Sequence, residues 1–333
     1  MEVFDEIEKM SEQEKNIPLV VILGPTASGK TKLAVNVASK LNGEIISADS
    51  RQVYRGMNIG TGKDYEEYLP FFKQNQDWPA GIEGVHLIDI VEAGDSYNVA
   101  FFQRDFQKAY QAILSRNKIP ILCGGTGMYI EAILRNYEDT QVPISQEFRE
   151  ELLLKTDEEL NATFQEKYFQ ESADISTRKR LIRAIEIGKW KSENDNLKDE
   201  LIFSPLHRGG IGAVFGISIP VEIRRERITK RLHDRLQSGM IEEVKALLES
   251  GISVEKLIFY GLEYKFITEY LVGDLSYDEM AKRLEVAIHQ FAKRQMTFFR
   301  SMERKGIIIN WLDGMQPVDK MTEEIINIIN SQP

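Results

Sequence analysis

Short apolar runs alternate along the chain with segments whose apolar residues recur at helical spacing. Each run is rich in β-branched residues and flanked by polar ones, which is typical of a strand buried in a parallel sheet. The runs lie at 17–23, 44–49, 85–91, 119–125, 212–219 and, as a last strand or a packing segment, 307–312. Segments 31–41 and 98–117 carry the helical stripes. This alternation predicts an α/β fold, a parallel sheet flanked by helices.

The character of the chain changes near residue 141. Charged helical segments without a strand candidate follow, and within them the polar segment 191–200 predicts an exposed loop. We therefore expect a helical insertion domain in the α/β core. The predicted parts are a polar N-terminal extension (1–16), the core (17–140 and 207–315), the insertion (141–206) and a C-terminal tail (316–333).

Composition excludes several classes of protein. The chain has 333 residues, 42% of them hydrophobic, which is enough to bury a core. Its one cysteine, Cys123, excludes an intramolecular disulfide and a Cys-based zinc finger. No apolar stretch reaches the roughly 18 residues of a membrane span, and the acidic N-terminus does not fit a signal peptide. These features predict a cytoplasmic protein that does not enter a membrane, and nothing indicates an obligate protein partner, so we expect a monomer.

Basic residues cluster although the net charge is −10. Three segments are rich in Lys and Arg: 178–183, 224–235 and 293–305, the last containing Phe298 and Phe299. A basic helix face is most often just solvated surface. In a chain this acidic, however, three such segments favour a surface that binds a polyanion.

The strongest motif follows the first predicted strand. It matches the P-loop pattern G-x-x-x-x-G-K-[ST] and lies between a strand and a helix, as that motif requires. Such a loop directs backbone N–H groups at phosphate oxygens, while its Lys reaches the phosphates and its hydroxyl binds Mg²⁺. The residues are Gly24, Pro25, Thr26, Ala27, Ser28, Gly29, Lys30 and Thr31. The motif predicts a phosphate-binding site on a P-loop NTPase-like sheet.

Asp49 ends the second predicted strand and begins the segment DSRQVYRGM. Ligands of parallel sheets bind at the carboxyl ends of the strands, so Asp49 is expected to face the phosphates. It is a candidate general base or magnesium partner, although an Asp-Ser pair is equally common as a helix cap. Two glycine-rich turns, 60–63 and 124–129, are weak signals by themselves.

Taken together, these segments resemble the bacterial tRNA dimethylallyltransferases over roughly residues 18 to 312. The segments DSRQVYRGM and GGTGMYI are far more specific than the P-loop. The matching text is GPTASGKT (24–31), ISADSRQVYRGMNIGTGK (46–63), HLID (86–89), IPILCGGTGMYI (119–130), RLIRAIE (180–186), RITKRLHDRLQSGMIEEV (227–244) and AKRQMTFFR (292–300).

The resemblance implies a reaction and a set of roles. The donor would be dimethylallyl diphosphate, the acceptor the exocyclic amine of the adenine 3′-adjacent to the anticodon in tRNA, and the cofactor Mg²⁺. Asp49 would be the general base, while Thr31 and Arg231 would hold the diphosphate with Lys30 and the loop amides, Thr31 also binding Mg²⁺. Thr126 would lie in the channel where the amine meets the donor. The implied tRNA contacts are Asp49, Ser50, Arg51, Gln52, Thr126, Lys179, Arg180, Leu181, Ile182 and Arg183.

The sequence departs from the family pattern in three places. Ile288-His289-Gln290 replaces the usual Thr-Arg-Gln, Gly-Thr-Gly-Lys-Asp (60–64) replaces Gly-Thr-Ala-Lys-Pro, and the stretch 260–265 replaces a Gly-Tyr-Lys-Glu. None changes the P-loop, Asp49 or Arg231, so we expect them to affect tRNA contact and not the reaction.

Three alternatives share the P-loop. A small-molecule or nucleotide kinase would bind ATP, but it does not account for GGTGMYI or the basic segments. A nucleic-acid-binding NTPase would need a hydrolysis apparatus, typically an apolar strand that ends in Asp-Glu or Asp-Asp and holds Mg²⁺ and water. HLID (86–89) is the nearest candidate for that strand. An adenylate isopentenyltransferase would act on a free nucleotide and would not need the basic insertion.

Overall fold

The structure is a computed structural model that describes residues 17–69, 83–140, 142–170, 173–194 and 211–331. The predicted N-terminal extension (1–16) lies outside the described residues. The chain divides into two compact units, one made of Met1–Leu134 with Pro205–Pro333 and the other of Arg135–Ser204.

Helices and strands of the first unit alternate up to residue 134. They are β1 (Leu19–Leu23), α1 (Lys30–Leu41), β2 (Gly43–Ser47), β3 (Val85–His86), α2 (Val99–Leu114), β4 (Ile119–Gly124) and α3 (Gly127–Leu134). The second unit contains α4 (Gln146–Leu153), α5 (Asp157–Lys167) and α6 (Arg178–Glu193). The first unit resumes with β5 (Ile211–Ser218), α7 (Val221–Gln237), α8 (Met240–Glu249), α9 (Val254–Phe259), α10 (Leu262–Leu271), α11 (Tyr277–Arg304), β6 (Asn310–Asp313) and α12 (Val318–Asn330).

The strands form one parallel sheet in the order β3-β2-β4-β1-β5-β6 among the described residues. The predicted α/β class, a P-loop NTPase-like parallel sheet flanked by helices, is confirmed. The order places β2, β4 and β1 side by side, so the loops that follow these three strands meet at one edge. Those loops carry Asp49, the GGTG turn and the P-loop.

Two apolar clusters support this edge. One packs β1, β4 and β5 against α1 and includes Met321 and Ile325 of α12. The other joins α7 to α11 beneath the segment after β2, with Tyr54, Met57 and Tyr264 fully or nearly fully buried. Within the described residues, no helix is long and apolar enough to cross a membrane.

Three details differ from the sequence analysis. The run 85–91 forms a strand only at Val85–His86, because Leu87 and Asp89 have positive φ angles of 61° and 56° that no strand allows. Helix α6 continues to Glu193, into the segment expected to be a loop, and 195–200 lies outside the described residues. The residues set apart as a C-terminal tail contain α12, whose apolar face is buried in the core.

Candidate active site

A cavity of about 540 Å³ in the first unit lies at the carboxyl ends of β1, β2 and β4. This volume is within the usual range for small-molecule sites. The P-loop and the segment after β2 form one side, and residues of α7, α10 and α11 form the other. Asp49, Lys30, Thr31, Thr126 and Arg231, which the sequence analysis selected from distant segments, all line it.

The P-loop joins β1 to α1 in a conformation suited to an anion. Gly29, just before the helix, has φ 84°, in the left-handed region where a Cβ is unfavourable. The first N–H groups of α1 have no acceptor in their own helix, and the helix dipole adds positive potential there. The Ser28 hydroxyl is buried and has no hydrogen-bond partner among the described residues. A phosphate oxygen would satisfy these donors.

Lys30 and Thr31 begin the helix at the floor of the cavity. Burial lowers the pKa of the Lys30 ammonium from its ordinary value, and the nearby Asp49 carboxylate opposes that effect. Burial raises the pKa of the Cys123 thiol to about 12, and the thiol donates to the Lys30 carbonyl at 3.7 Å. Cys123 therefore supports the loop and is no thiolate nucleophile.

Asp49 is fixed through one carboxylate oxygen. Its Oδ1 accepts the N–H groups of Arg51 at 2.9 Å and Gln52 at 3.4 Å. In the described part of the chain, Oδ2 accepts no hydrogen bond, and the residue is only half-buried. One oxygen thus orients the carboxylate while the other is available to a ligand.

The GGTG turn after β4 is bonded to the same segment. The Thr126 N–H donates to the Ala48 carbonyl at 3.2 Å, and the Thr126 hydroxyl accepts the Ser50 N–H at 3.0 Å. Gln52 extends the connection, because its Nε2 donates to the Gly62 carbonyl at 3.0 Å. Asp49–Gln52, Thr126 and the 60–64 turn therefore form one hydrogen-bonded wall.

Two arginines of α7, one helical turn apart, share a carboxylate. Asp64 forms an ion pair with Arg231, and Arg235 Nη2 lies 3.0 Å from Asp64 Oδ1. Burial and the neighbouring Arg235 lower the pKa of Arg231, an effect that Asp64 opposes. Asp64 stands where the family pattern has Pro, so this departure leaves Arg231 itself in place but adds an ion pair to it.

The turn that carries Asp64 is firmly anchored. Glu243 of α8 accepts the N–H groups of Asn58, Ile59 and Gly60 at 2.8, 2.8 and 3.0 Å. The buried Lys63 ammonium pairs with Asp89. Asp89 of the HLID segment thus pairs with a residue of the turn, and it is not among the residues that line the cavity. This contact removes the acidic group that an NTPase alternative would have needed.

Two further carboxyl groups line the cavity, Glu67 and Glu263. Burial raises the pKa of both, and Asp64 adds to the effect at Glu67. Neither was selected from the sequence. Glu263 lies within the 260–265 departure, so that change also reaches the cavity wall.

Sequence reasoning also missed Gln295 of α11. Its Oε1 accepts the Thr26 N–H at 2.9 Å, and its Nε2 donates to the Gly125 carbonyl at 2.9 Å. The Thr26 amide, expected to bind diphosphate, is therefore already bonded within the protein. The AKRQ segment was a signal for family membership, but nothing in it indicated this contact.

The predicted tRNA segment 179–183 lies in the second unit, at the start of α6. Lys179 and Arg180 are exposed, whereas Leu181 and Ile182 are each 4% exposed and pack against α4 and α5. Arg183 donates to the Val142 carbonyl at 2.6 Å and lies 3.3 Å from Glu186. The side chains of Leu181 and Ile182 are occupied by packing, so Lys179 and Arg180 carry the exposed side chains of this segment. Contact between the segment 179–183 and tRNA stays a prediction.

Comparison with known proteins identifies relatives along nearly the whole chain. The family model described as IPP transferase matches residues 52–302, and the model described as isopentenyl transferase matches 17–73. A tRNA dimethylallyltransferase 2 from Phocaeicola vulgatus is 49% identical, covering 94% of this chain and 98% of its own length. A tRNA dimethylallyltransferase 1 from Parabacteroides distasonis is 47% identical, with 96% and 99% covered. The crystal structure of a tRNA isopentenylpyrophosphate transferase from Staphylococcus epidermidis is 31% identical with a TM-score of 0.64, covering 95% of this chain and 100% of that one.

Proposed function

The chain belongs to the IPP transferase family and is a prenyltransferase that modifies tRNA; we propose that it transfers dimethylallyl from dimethylallyl diphosphate to the exocyclic amine of the adenine 3′-adjacent to the anticodon. Diphosphate is the second product. One observation carries the proposal: the P-loop, Asp49 and Arg231 line a single cavity. A phosphate cradle and a free carboxylate oxygen thus face the same space.

Asp49 acts as general base. An exocyclic adenine amine is a poor nucleophile because its lone pair is delocalised into the ring. Oδ2 of Asp49 takes the amine proton as the nitrogen forms a bond to the allylic carbon. The bond between that carbon and the diphosphate oxygen breaks, and its electron pair leaves with the diphosphate.

Cationic and N–H groups stabilise the leaving diphosphate. The Lys30 ammonium, the Arg231 guanidinium and the first amides of α1 meet the negative charge as it grows. The allylic carbon tolerates positive charge, so the protein's main task is to position the two reactants.

The donor set fits Mg²⁺, which commonly binds one or two protein oxygens together with substrate phosphates. The Thr31 hydroxyl would hold the ion, and the same cavity is lined by the carboxyl groups of Asp49, Asp64, Glu67 and Glu263. The described residues contain no group of three or more His, Cys, Asp or Glu that could hold a metal by themselves. When bound, Mg²⁺ would neutralise charge on the diphosphate.

The acceptor must leave its base stack to enter such a cavity. We propose that Ser50, Arg51, Gln52 and Thr126 contact the extruded adenine or its neighbours, with Lys179 and Arg180 contacting the tRNA elsewhere. The enzyme is expected to act as a monomer.

The test measures transfer of labelled dimethylallyl from its diphosphate to unmodified tRNA, with and without Mg²⁺, and with ATP as an alternative donor. We expect magnesium-dependent label in the wild type. Asp49→Asn keeps the shape of the side chain but cannot take the proton, so transfer should fall by at least about a hundredfold. Its affinity for inorganic diphosphate, measured by calorimetry, should stay within about twofold.

Normal turnover by Asp49→Asn would exclude Asp49 as the base. Consumption of ATP without label in tRNA would favour the kinase alternative, which the named relatives do not support.

A further inference from the structure

Gln295 connects two loops to which the proposed function assigns different substrates, the diphosphate donor and tRNA. It lies on α11, is 8% exposed, and contacts partners 269 and 170 residues away in the sequence. One partner is the Thr26 N–H of the P-loop, and the other is the Gly125 carbonyl of the GGTG turn. Both hydrogen bonds measure 2.9 Å, so one carboxamide holds a donor and an acceptor at once.

The GGTG turn is shaped for this contact. A Cβ on Gly125 would lie 2.5 Å from Gln295 Nε2, and a Cβ on Gly127 would lie 2.3 Å from the Phe298 ring, also on α11. These approaches are closer than real Cβ contacts allow. Glycine at these positions therefore lets the turn lie directly against α11.

The contact continues to the proposed base. The next residue after Gly125 is Thr126, which bonds Ala48 through its N–H and Ser50 through its hydroxyl. Ala48 and Ser50 flank Asp49. A continuous set of hydrogen bonds thus runs from the P-loop through Gln295 and the GGTG turn to the neighbours of Asp49.

We propose that Gln295 is a positioning residue that fixes the P-loop relative to the GGTG turn, and so sets the distance between the donor carbon and Asp49. The inference rests on the proposed function. Gln295 does not need to touch either substrate for this role. We call the two hydrogen bonds of Gln295, to Thr26 and to Gly125, the bridge. The P-loop is formed by the connection from β1 to α1 and does not need Gln295 for its shape, so the affinity for diphosphate should not depend on the bridge.

The main variant is Gln295→Met, which keeps the length of the side chain but makes neither hydrogen bond. We expect kcat to fall by about tenfold to a hundredfold, because a displacement of about 1 Å has an effect of that order. Affinities for inorganic diphosphate and for tRNA should stay within about twofold. A fall in diphosphate affinity equal to the fall in kcat would overturn the proposal, and so would an unchanged kcat.

A second variant tests the bridge from its other end. In Gly125→Ala the new Cβ pushes away the flexible end of Gln295, so kcat should fall by a similar factor. The double variant should be no slower than the slower single variant, because both break the same contact. Losses that multiply would contradict a shared bridge.

Gln295→Glu gives a pH readout that loss of packing would not produce. A protonated carboxyl can still donate to the Gly125 carbonyl, whereas the ionised form repels it. The kcat of Gln295→Glu relative to wild type should therefore rise as pH falls, while the same ratio for Gln295→Met stays flat. Equal pH dependence of the two ratios would count against the bridge.

The hydrogen-exchange rate of the Thr26 amide tests the bridge independently of any transfer assay. Protection should be present in the wild type and lost in Gln295→Met. If the wild type transfers no prenyl group but shows this dependence, the proposed function fails and the bridge stands. If protection is the same in both proteins, the bridge fails.

Discussion

Arg231 and Arg235 occupy a position where two like charges would repel, and Asp64 between them makes the arrangement tolerable. The three side chains are between 16% and 40% exposed, so solvent screens the contact only in part. Asp64 is held by an anchored turn and therefore keeps the guanidinium groups beside the P-loop. An anionic donor would meet arginines that are already oriented.

Arg231→Ala should weaken binding of inorganic diphosphate by about tenfold to a hundredfold, since hydrogen bonds to charged groups contribute about 1.5–3 kcal/mol. Calorimetry measures the affinity directly. Arg225→Ala is the matched control, because Arg225 is an exposed arginine of the same helix that does not line the cavity, and it should bind like wild type. Equal affinities for Arg231→Ala and wild type would remove Arg231 from the diphosphate site.

Single residues were predictable from sequence only where a local motif carried them. Lys30 and Thr31 follow from the P-loop pattern, and Asp49 follows from its place after a strand. Asp64 and Arg235 are 171 residues apart in the sequence, and Gln295 is 269 residues from Thr26. No local pattern encodes such contacts, because the fold alone brings the partners together.

At the level of helices and strands, Glu44 of β2 joins several elements at the end of the sheet opposite the cavity. Arg116 Nη2 and His86 Nε2 each lie 2.6 Å from its carboxylate, and Lys118 Nζ lies 2.8 Å away. Burial by itself would raise the pKa of Glu44, but these hydrogen bonds outweigh it and lower the pKa to about 2. The carboxylate therefore ties β2 to β3 and to the turn between α2 and β4.

Glu44→Gln should lower the free energy of unfolding at pH 7 by about 3 kcal/mol, the value of a shift from an ordinary pKa near 4.5 to about 2. A lowered folded-state pKa stabilises the fold above about pH 4.5, and the stabilisation disappears as pH falls toward 2. The difference between variant and wild type in urea denaturation should shrink over that interval. Glu226→Gln, an exposed change on α7, should stay within about 0.5 kcal/mol. A difference that does not vary with pH would contradict the assignment.

Apolar periodicity predicted strands and helices well where nearly every residue of a run is buried. It predicted them poorly where a side chain of the run pairs with a residue elsewhere in the fold. The residues that form β1 and β2 are fully buried, and the runs that became β4 and β5 are buried except near one end, at Ile119 and Ser218. The 85–91 run forms a strand no further than His86, where its backbone turns and Asp89 pairs with Lys63. Leu181, Ile182 and Ile185 share one face of α6, and that face is buried.

For the whole molecule, the net charge of −10 does not predict whether the protein binds a polyanion. Many of its cations are engaged within the protein. Arg231 and Arg235 pair with Asp64, and Arg149 and Arg183 pair with Glu186. Only exposed cations can displace counterions from a nucleic acid, so a count of Lys and Arg overstates the binding surface.

Lys179→Ala with Arg180→Ala should weaken tRNA binding and reduce the slope of log K against log salt by about one to two, because each phosphate contact contributes roughly 0.7–0.9 to that slope. Arg183 is left unchanged because its contacts with Val142 and Glu186 stabilise the second unit. If Arg183 were replaced, weaker tRNA binding could result from unfolding of that unit and not from the loss of a tRNA contact. Filter binding over a salt series measures both quantities.

Lys167→Ala is the matched control, an exposed cation of the same unit outside the predicted segment, and we expect it to leave the slope unchanged. Diphosphate affinity should be the same in all these variants, because the donor cavity belongs to the first unit. If the double variant keeps the wild-type affinity and slope, the start of α6 is not where tRNA binds. In that case the basic segments of the first unit, 224–235 and 293–305, become the surfaces to test, beginning with exposed cations such as Arg225 and Lys293.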